Sequence, residues 1–243
     1  MKVFIGTSGW QYWHWKGIFY PENIKSDEML KFYAENFNTV EINTTFYHFQ
    51  KTKTFLKWKD IVRNKNFIFS LKLHRLFTHF RRLKLKKDDL KILKETVNSF
   101  KELKENLGPI IIQLPPSLKA DLKTLQKFLD ILKKFNLKFA LEFRNKSWLK
   151  PSVYRILKKY KVSFVISDSP HWPTEIIKTS SFVYVRFHGK PKIFASLYKD
   201  NELEEWSKNL KKLKPKELYI YFNNDFSGYA VQNALYMKKL LKS

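Results

Sequence analysis

Short apolar runs rich in Val, Ile and Phe recur along the chain: VFIG (3–6), TVEIN (39–43), FIFSLK (67–72), IIIQL (110–114), KFALEF (138–143), VSFVIS (162–167), FVYVRF (182–187) and ELYIYF (217–222). Runs of this length and composition predict buried parallel strands. Between them, polar stretches carry apolar residues at helical spacing. Phe55, Trp58 and Ile61–Val62 form one stripe, and Leu90, Leu93, Val97, Phe100, Leu103 and Leu107 a second. Leu122, Leu125, Leu129 and Leu132 form a third, with Asp121 near its start. Ser26, followed by Asp27 and Glu28, predicts the N-cap of the first helix. Gly108-Pro109 predicts the end of the helix that contains Leu90. Pro151 predicts the first turn of a helix running to about Tyr160. Residues 200–213 and 229–241 supply the last two.

Eight strands alternating with helices predict an α/β fold, a single TIM-type (β/α)8 barrel over residues 1–243. One connection differs. SPHWPTEIIKTSS (169–181) holds two prolines and leaves little room, so the sixth helix is expected to be reduced to a turn or missing. A doubly wound open sheet is the alternative fold. The six glycines are isolated, and they build neither GxGxxG nor a P-loop.

In a barrel the C-terminal strand ends form the active-site face. Read in order, those ends carry Thr7-Ser8, Glu41 and Asn43, Lys72 and His74, Gln113, Glu142 and Arg144, Ser167-Asp168, Arg186 and His188, and Asn223-Asn224-Asp225. Side chains two apart on a strand share a face, which groups Glu41 with Asn43, Glu142 with Arg144, and Arg186 with His188. Burying such charges without partners or use is costly. A ring of polar ends therefore predicts either a ligand site or a self-satisfying ion network. For a site, Glu142, Glu41, Lys72, Asp168, Arg186 and His188 are the expected catalytic groups. Glu142 and Glu41 would carry protons, given surroundings that separate their pKa values. Lys72 and Arg186 would stabilise negative charge, while Arg144 and His188 orient the carboxylates. Trp10, Tyr47, Gln113, Arg144, Asn223 and Asn224 are the expected substrate-binding groups. His74, His188, Glu142 and Asp168 are metal ligands of the right kinds, but no HxH or HExxH spacing accompanies them. The residues specify no metal site and no cofactor.

The stretch GTSGWQYWHW (6–15) has the backbone chemistry of a loop and the side chains of a core. Trp15, with Phe19 and Tyr20, is expected to pack. Trp10, following Ser8-Gly9, is expected to form an apolar wall of the site with Tyr47. On that expectation Trp10→Ala abolishes ligand binding with little loss of fold.

Composition adds bounds. The chain has no cysteine, which excludes disulfides and thiolate metal sites. MKVFIG reads as a strand, too short to be a signal peptide, and no stretch approaches the ~20 apolar residues of a membrane helix. The expected location is cytoplasmic, with no membrane association. The net charge of +25 suits a polyanion partner. Against that, 40 of the 47 basic residues are Lys, and specific phosphate or base recognition favours the Arg fork. The lysines also fall along helical segments, where they form solvated faces.

The motifs GTSGWQYWHWKGIFYP, VEINTTFYHF, FSLKLHRLFTH, LGPIIIQLPPSL, LEFRNKSW, YVRFHG and YIYFNNDFSGYAVQNA resemble, in order, those of the DUF72 (YecE-like) family. The resemblance spans essentially the whole chain. It implies a TIM-type barrel and implies no activity. RNKSW departs from the family pattern, in which a histidine follows the arginine; here Asn145 stands at that position.

The function expected from these residues is that of a hydrolase or related acid/base enzyme. Its partner would be a small polar, anionic or sugar-like ligand in the barrel mouth. The alternative is a nucleic-acid-binding protein or metal-dependent nuclease using the basic surface, with Arg81-Arg82 and Lys84 as contacts and exposed rings for base stacking.

Overall fold

Eight strands and eight α-helices follow one another in a computed structural model that describes residues 1–242. The strands are β1 (Lys2–Thr7), β2 (Thr39–Ile42), β3 (Ile68–Lys72), β4 (Leu107–Gln113), β5 (Phe139–Glu142), β6 (Ser163–Asp168), β7 (Phe182–Phe187) and β8 (Glu217–Phe222). The helices are α1 (Met29–Asn36), α2 (Thr44–Tyr47), α3 (Thr52–Val62), α4 (Lys87–Lys101), α5 (Leu122–Lys133), α6 (Pro151–Tyr160), α7 (Asp200–Lys212) and α8 (Tyr229–Leu241). The strands are parallel and ordered β1-β8-β7-β6-β5-β4-β3-β2. A bridge between Ser8 and Glu41 brings the two ends together, so the sheet closes into a barrel.

The alternation of side chains builds two cores. Phe4, Ile111, Val165, Phe182, Tyr184, Tyr219 and Tyr221 pack inside the barrel, where Phe4 stacks on Tyr219 at 4.7 Å. The opposite faces of the strands bury Ile5, Val40, Leu71, Ile112, Leu141 and Ile220 against the helices. Lysines on the helices face outward, which keeps the charge in water.

The seam between β1 and β2 is stitched by side chains. Asn38 Oδ1 accepts from Ile5 N at 3.1 Å, and its Nδ2 donates to Val3 O at 2.9 Å. Tyr33 accepts from Thr7 N at 2.8 Å and donates to Thr39 O at 3.2 Å. Gly6 is required there, because a Cβ would lie 2.0 Å from Thr39 O and 2.8 Å from the Tyr33 hydroxyl. Gly6→Ala should therefore open the seam and cost roughly 1–3 kcal/mol, as overpacking does. A urea midpoint equal to that of the parent would show that the seam yields freely.

Helix ends follow local chemistry with two departures from expectation. Asp121 caps α5, accepting from Thr124 N at 3.0 Å. Pro151 opens α6. Ser26 is not a cap: α1 begins at Met29 with Glu28 at the N-cap position, and Ser26 lies in the preceding turn, where Glu28 accepts from Lys25 N. Gly108-Pro109 does not end a helix. α4 stops at Lys101, and the pair lies inside β4 at a shift in register against β3. An irregular position tolerates a residue without N–H, so the proline marks a bulge. The crossing from β6 to β7 runs over residues 169–181 without a helix.

Candidate functional site

The strand ends expected to form a site do converge, but through an arginine. Arg186 on β7 is 1% exposed and lies between two carboxylates that are 0% exposed. It donates Nη2 to Glu41 Oε1 at 2.8 Å and Nη1 to Glu142 Oε2 at 2.5 Å. Glu41 also accepts from Ser8 Oγ at 2.5 Å and from the Tyr184 hydroxyl at 2.7 Å. Glu142 accepts from Arg144 Nε at 3.1 Å, and His188 Nε2 lies 3.6 Å from its Oε1. Burial pushes both carboxyl groups up. Arg186 outweighs it for Glu41, with help from Ser8 and Tyr184, and Arg186 with Arg144 outweighs it more strongly for Glu142. Both shifts are downward, so both groups are anions, fully engaged below the mouth. Proton transfer, expected of Glu41 and Glu142, has no free carboxyl to work with here.

Above this base lies a cavity of about 290 Å³. Phe46, Tyr47 and Phe194 form its apolar side; Asn43, Lys72, Gln113, Arg144, Arg186, Asn223 and Asp225 form the rest. Lys72 donates to Gln113 Oε1 at 2.8 Å and stands 4.1 Å from the centre of the Phe46 ring. Burial, then the neighbouring Arg186, pushes its ammonium down to about 7. Asp225 is shifted the other way, its carboxyl raised by burial. His188 is brought to about 4 by burial and Arg186, so its ring is neutral. Its Nδ1 lies 3.1 Å from Asn223 Nδ2. Asn43 Oδ1 is buried with no hydrogen-bond partner in the protein, which suits a ligand that donates.

The helix-free crossing between β6 and β7 contributes to this site. It places Trp172 with its ring 3.9 Å from the Arg144 guanidinium and its Nε1 2.9 Å from Ser167 Oγ. The same ring meets His188 edge-on at 5.1 Å. Trp172 and Phe194 are not among the expected residues; the sequence signal for Trp172 is an aromatic residue in a proline-rich segment too short for a helix, and Phe194 lies in the loop after β7. Asn43, Ser8, Ser167 and Asp225 were legible as strand-end polar residues, but their roles were not.

Three expected site residues lie elsewhere. Asp168 accepts from the Tyr198 hydroxyl at 2.7 Å and pairs with Lys190, holding the loop before α7. Its register partner is Phe187, whereas Ser167 is level with Arg186, so Asp168 points out of the barrel. Asn224 likewise turns outward, donating to Ser196 O at 2.8 Å and Asn233 Oδ1 at 2.9 Å. Trp10 is buried edge-on against Trp58 of α3 at 5.3 Å and does not line the cavity, so loss of its ring would act through packing. Tyr47 does line it, half exposed. His74 is drawn aside, stacked on Phe49 at 3.8 Å. Among the described residues, no group of three or more His, Asp or Glu side chains is placed to hold a metal ion.

The aromatic stretch after β1 mostly packs. Trp15 is fully buried, its Nε1 donating to Asp225 O at 3.0 Å, and Tyr20 donates to Trp10 O at 2.6 Å. Those bonds hold the loop and set Asp225 at the cavity edge. Asn145 uses its side chain locally, accepting from Ser147 N at 3.1 Å and donating to Pro116 O at 2.7 Å. Arg81 is tied to Asp89, and Arg82 to Ser117, in hydrogen bonds within the fold. Among the described residues no helix is long and apolar enough to cross a membrane.

Residues 4–243 match the family model described as "Protein of unknown function DUF72". The UPF0759 protein YunF of Bacillus subtilis (strain 168) is 26% identical over 273 residues, covering 98% of this chain and 94% of that protein. The crystal structure of a DUF72 family protein from Thermotoga maritima MSB8 superposes with a TM-score of 0.86 at 30% identity, covering 100% of both chains. D-psicose 3-epimerase from Clostridium cellulolyticum H10, solved with D-tagatose, superposes with a TM-score of 0.57 at 11% identity, covering 100% of this chain and 97% of that one. That last likeness is one of barrel fold.

Proposed function

The chain belongs to the DUF72 family, and from the chemistry of its barrel mouth we propose that it is an acid/base enzyme acting on a small anionic substrate. The observation that carries this is the balance of free charge around the cavity. Glu41 and Glu142 are occupied by Arg186, while Lys72 and Arg144 line the cavity, Arg144 engaging Glu142 through Nε. Arg144, held 3.9 Å over the Trp172 ring, offers a fork of the kind that binds a carboxylate or phosphate. Lys72, titrating near neutrality, and Asp225, with its raised carboxyl, are the two groups able to exchange protons. Arg186, Glu41, Glu142 and His188 hold that arrangement in place. Hydrolysis is one form of this chemistry, with neutral Lys72 taking a proton from attacking water.

A thermal-shift panel of inorganic phosphate, acetate, sugar phosphates, neutral sugars and short single strands tests the reading, since a ligand of the folded state raises Tm. The anions are expected to stabilise the protein. Arg144→Gln is expected to weaken their binding about tenfold or more, the value of a charge-assisted hydrogen bond. Stabilisation by neutral sugars alone would refute an anionic substrate. The nucleic-acid alternative rests on the +25 charge and on exposed rings beside cations. Trp13 has Lys16 at 4.9 Å, and Phe80 has Arg75 at 5.5 Å. Stabilisation by oligonucleotides alone, equal in parent and variant and falling steeply with salt, would favour it.

A further inference from the structure

Around the cavity three cations, Lys72, Arg144 and Arg186, meet the buried carboxylates Glu41 and Glu142 and, at the edge, Asp225, and the pairing is uneven. Arg186 binds both carboxylates, and Arg144 adds a bond to Glu142. Lys72 is 6% exposed and has no carboxylate partner among the described residues; its hydrogen bond goes to the neutral Gln113 and its other contact is the Phe46 ring. A buried ammonium with no counter-ion is relieved by losing its proton. The amine left behind opens onto the cavity, where it is the one lysine among the lining residues. An uncharged amine next to other cations is a nucleophile toward carbonyl carbon.

We propose that Lys72 is a covalent site, whose Nζ forms an imine with the carbonyl carbon of a small 2-oxo acid while Arg144 holds the acid's carboxylate. This rests on the anion-binding reading above and names its substrate class. The Nζ lone pair attacks the carbonyl carbon as the C=O π electrons move to oxygen. That oxygen takes a proton and Nζ loses one, giving a carbinolamine. The hydroxyl then takes a second proton and leaves as water, and the nitrogen lone pair forms the C=N bond of the iminium. No oxidant or reductant is consumed. Asp225 lines the same cavity and would donate the proton to the leaving hydroxyl. A cavity of about 290 Å³ suits a molecule of this size. The charged and titratable groups around Lys72 are Arg186 on β7, Glu142 at the end of β5 with Arg144 just beyond it, Glu41 on β2, His79 beyond β3, and Tyr47 and Asp225 across the cavity. Burial first, then Arg186, outweighs the two carboxylates and holds the amine near 7.

The test is reductive trapping of the whole protein with glyoxylate and cyanoborohydride at pH 7, followed by peptide mapping. Glyoxylate should carboxymethylate Lys72 about tenfold faster, or more, than the surface lysines, because each unit of lowered pKa gives nearly a decade of free amine. Excess acetate or phosphate should slow Lys72 and spare the others. Arg144→Gln should slow it much more with glyoxylate than with formaldehyde, which has no carboxylate and responds only to the change in free amine. Modification of Lys72 at the surface rate in a protein that phosphate or acetate still stabilises overturns the imine and leaves anion binding intact. Fast modification that no anion slows and Arg144→Gln leaves unchanged overturns the 2-oxo acid and the anionic reading together.

Discussion

Arg186→Met is expected to lower the unfolding free energy at pH 7 by about 3–5 kcal/mol, the cost of leaving buried charges without a partner. For a chain of this size that is a fall in Tm on the order of 10 °C. The loss comes from Glu41 and Glu142, both fully buried, rather than from the missing side chain. The pH dependence distinguishes the two. In the parent both carboxyl groups are depressed, so their contribution is present above the unfolded pKa and is lost as pH falls through the folded values. In the variant, burial is opposed only by Ser8 and Tyr184 at Glu41 and by Arg144 and His188 at Glu142, so both folded values rise relative to the parent and the variant loses less stability as pH falls toward 4. The gap between the two proteins should narrow between pH 7 and 4.5 in urea unfolding. Adding Glu41→Gln and Glu142→Gln to the variant should recover most of the loss. A gap of equal size at both pH values would mean that Arg186 contributes packing only.

Lys72→Met is expected to have the opposite sign on stability, a gain of about 1–3 kcal/mol at pH 7, with loss of anion binding and of trapping at that site. The gain is what remains after the lost proton equilibrium is set against an unmet Gln113 carbonyl. The folded amine titrates near 7 against an ordinary lysine value of 10.5. Between those values the unfolded chain binds the additional proton, so parent stability rises with pH, by up to about 1.4 kcal/mol per unit. Below 7 the full penalty applies. Urea midpoints at pH 7, 8 and 9 should rise for the parent and stay level for the variant. A parent curve that is flat over this window would mean that Lys72 keeps its proton in the fold, and the imine would lose its nucleophile.

The two experiments concern groups that the sequence identified without their roles. Periodicity was sufficient for eight strands, their helices and the connection over residues 169–181, because alternation of apolar and polar positions is a local property. It also placed Glu41, Lys72, Gln113, Glu142, Arg144, Arg186 and Asn223 at strand ends, where they meet in the barrel. What one strand does not contain is which of its two faces turns inward. Asp168 and Asn224 are adjacent to inward residues, and only the register of Ser167 with Arg186, and of Asp168 with Phe187, turns them to the helix side. Gly108-Pro109 carries a helix-ending signal that pairing with β3 overrides. Trp10 has the composition of a binding wall, and the nearness of Trp58 makes it core. The allocation of charge was likewise beyond the sequence. Three cations and two carboxylates can pair in several ways, and the partners lie on different strands, up to 145 residues apart in the case of Glu41 and Arg186. Electrostatic energy depends on distance and burial in space, so the closed barrel decided that Arg186 would hold both carboxylates and that Lys72 would be left to the cavity.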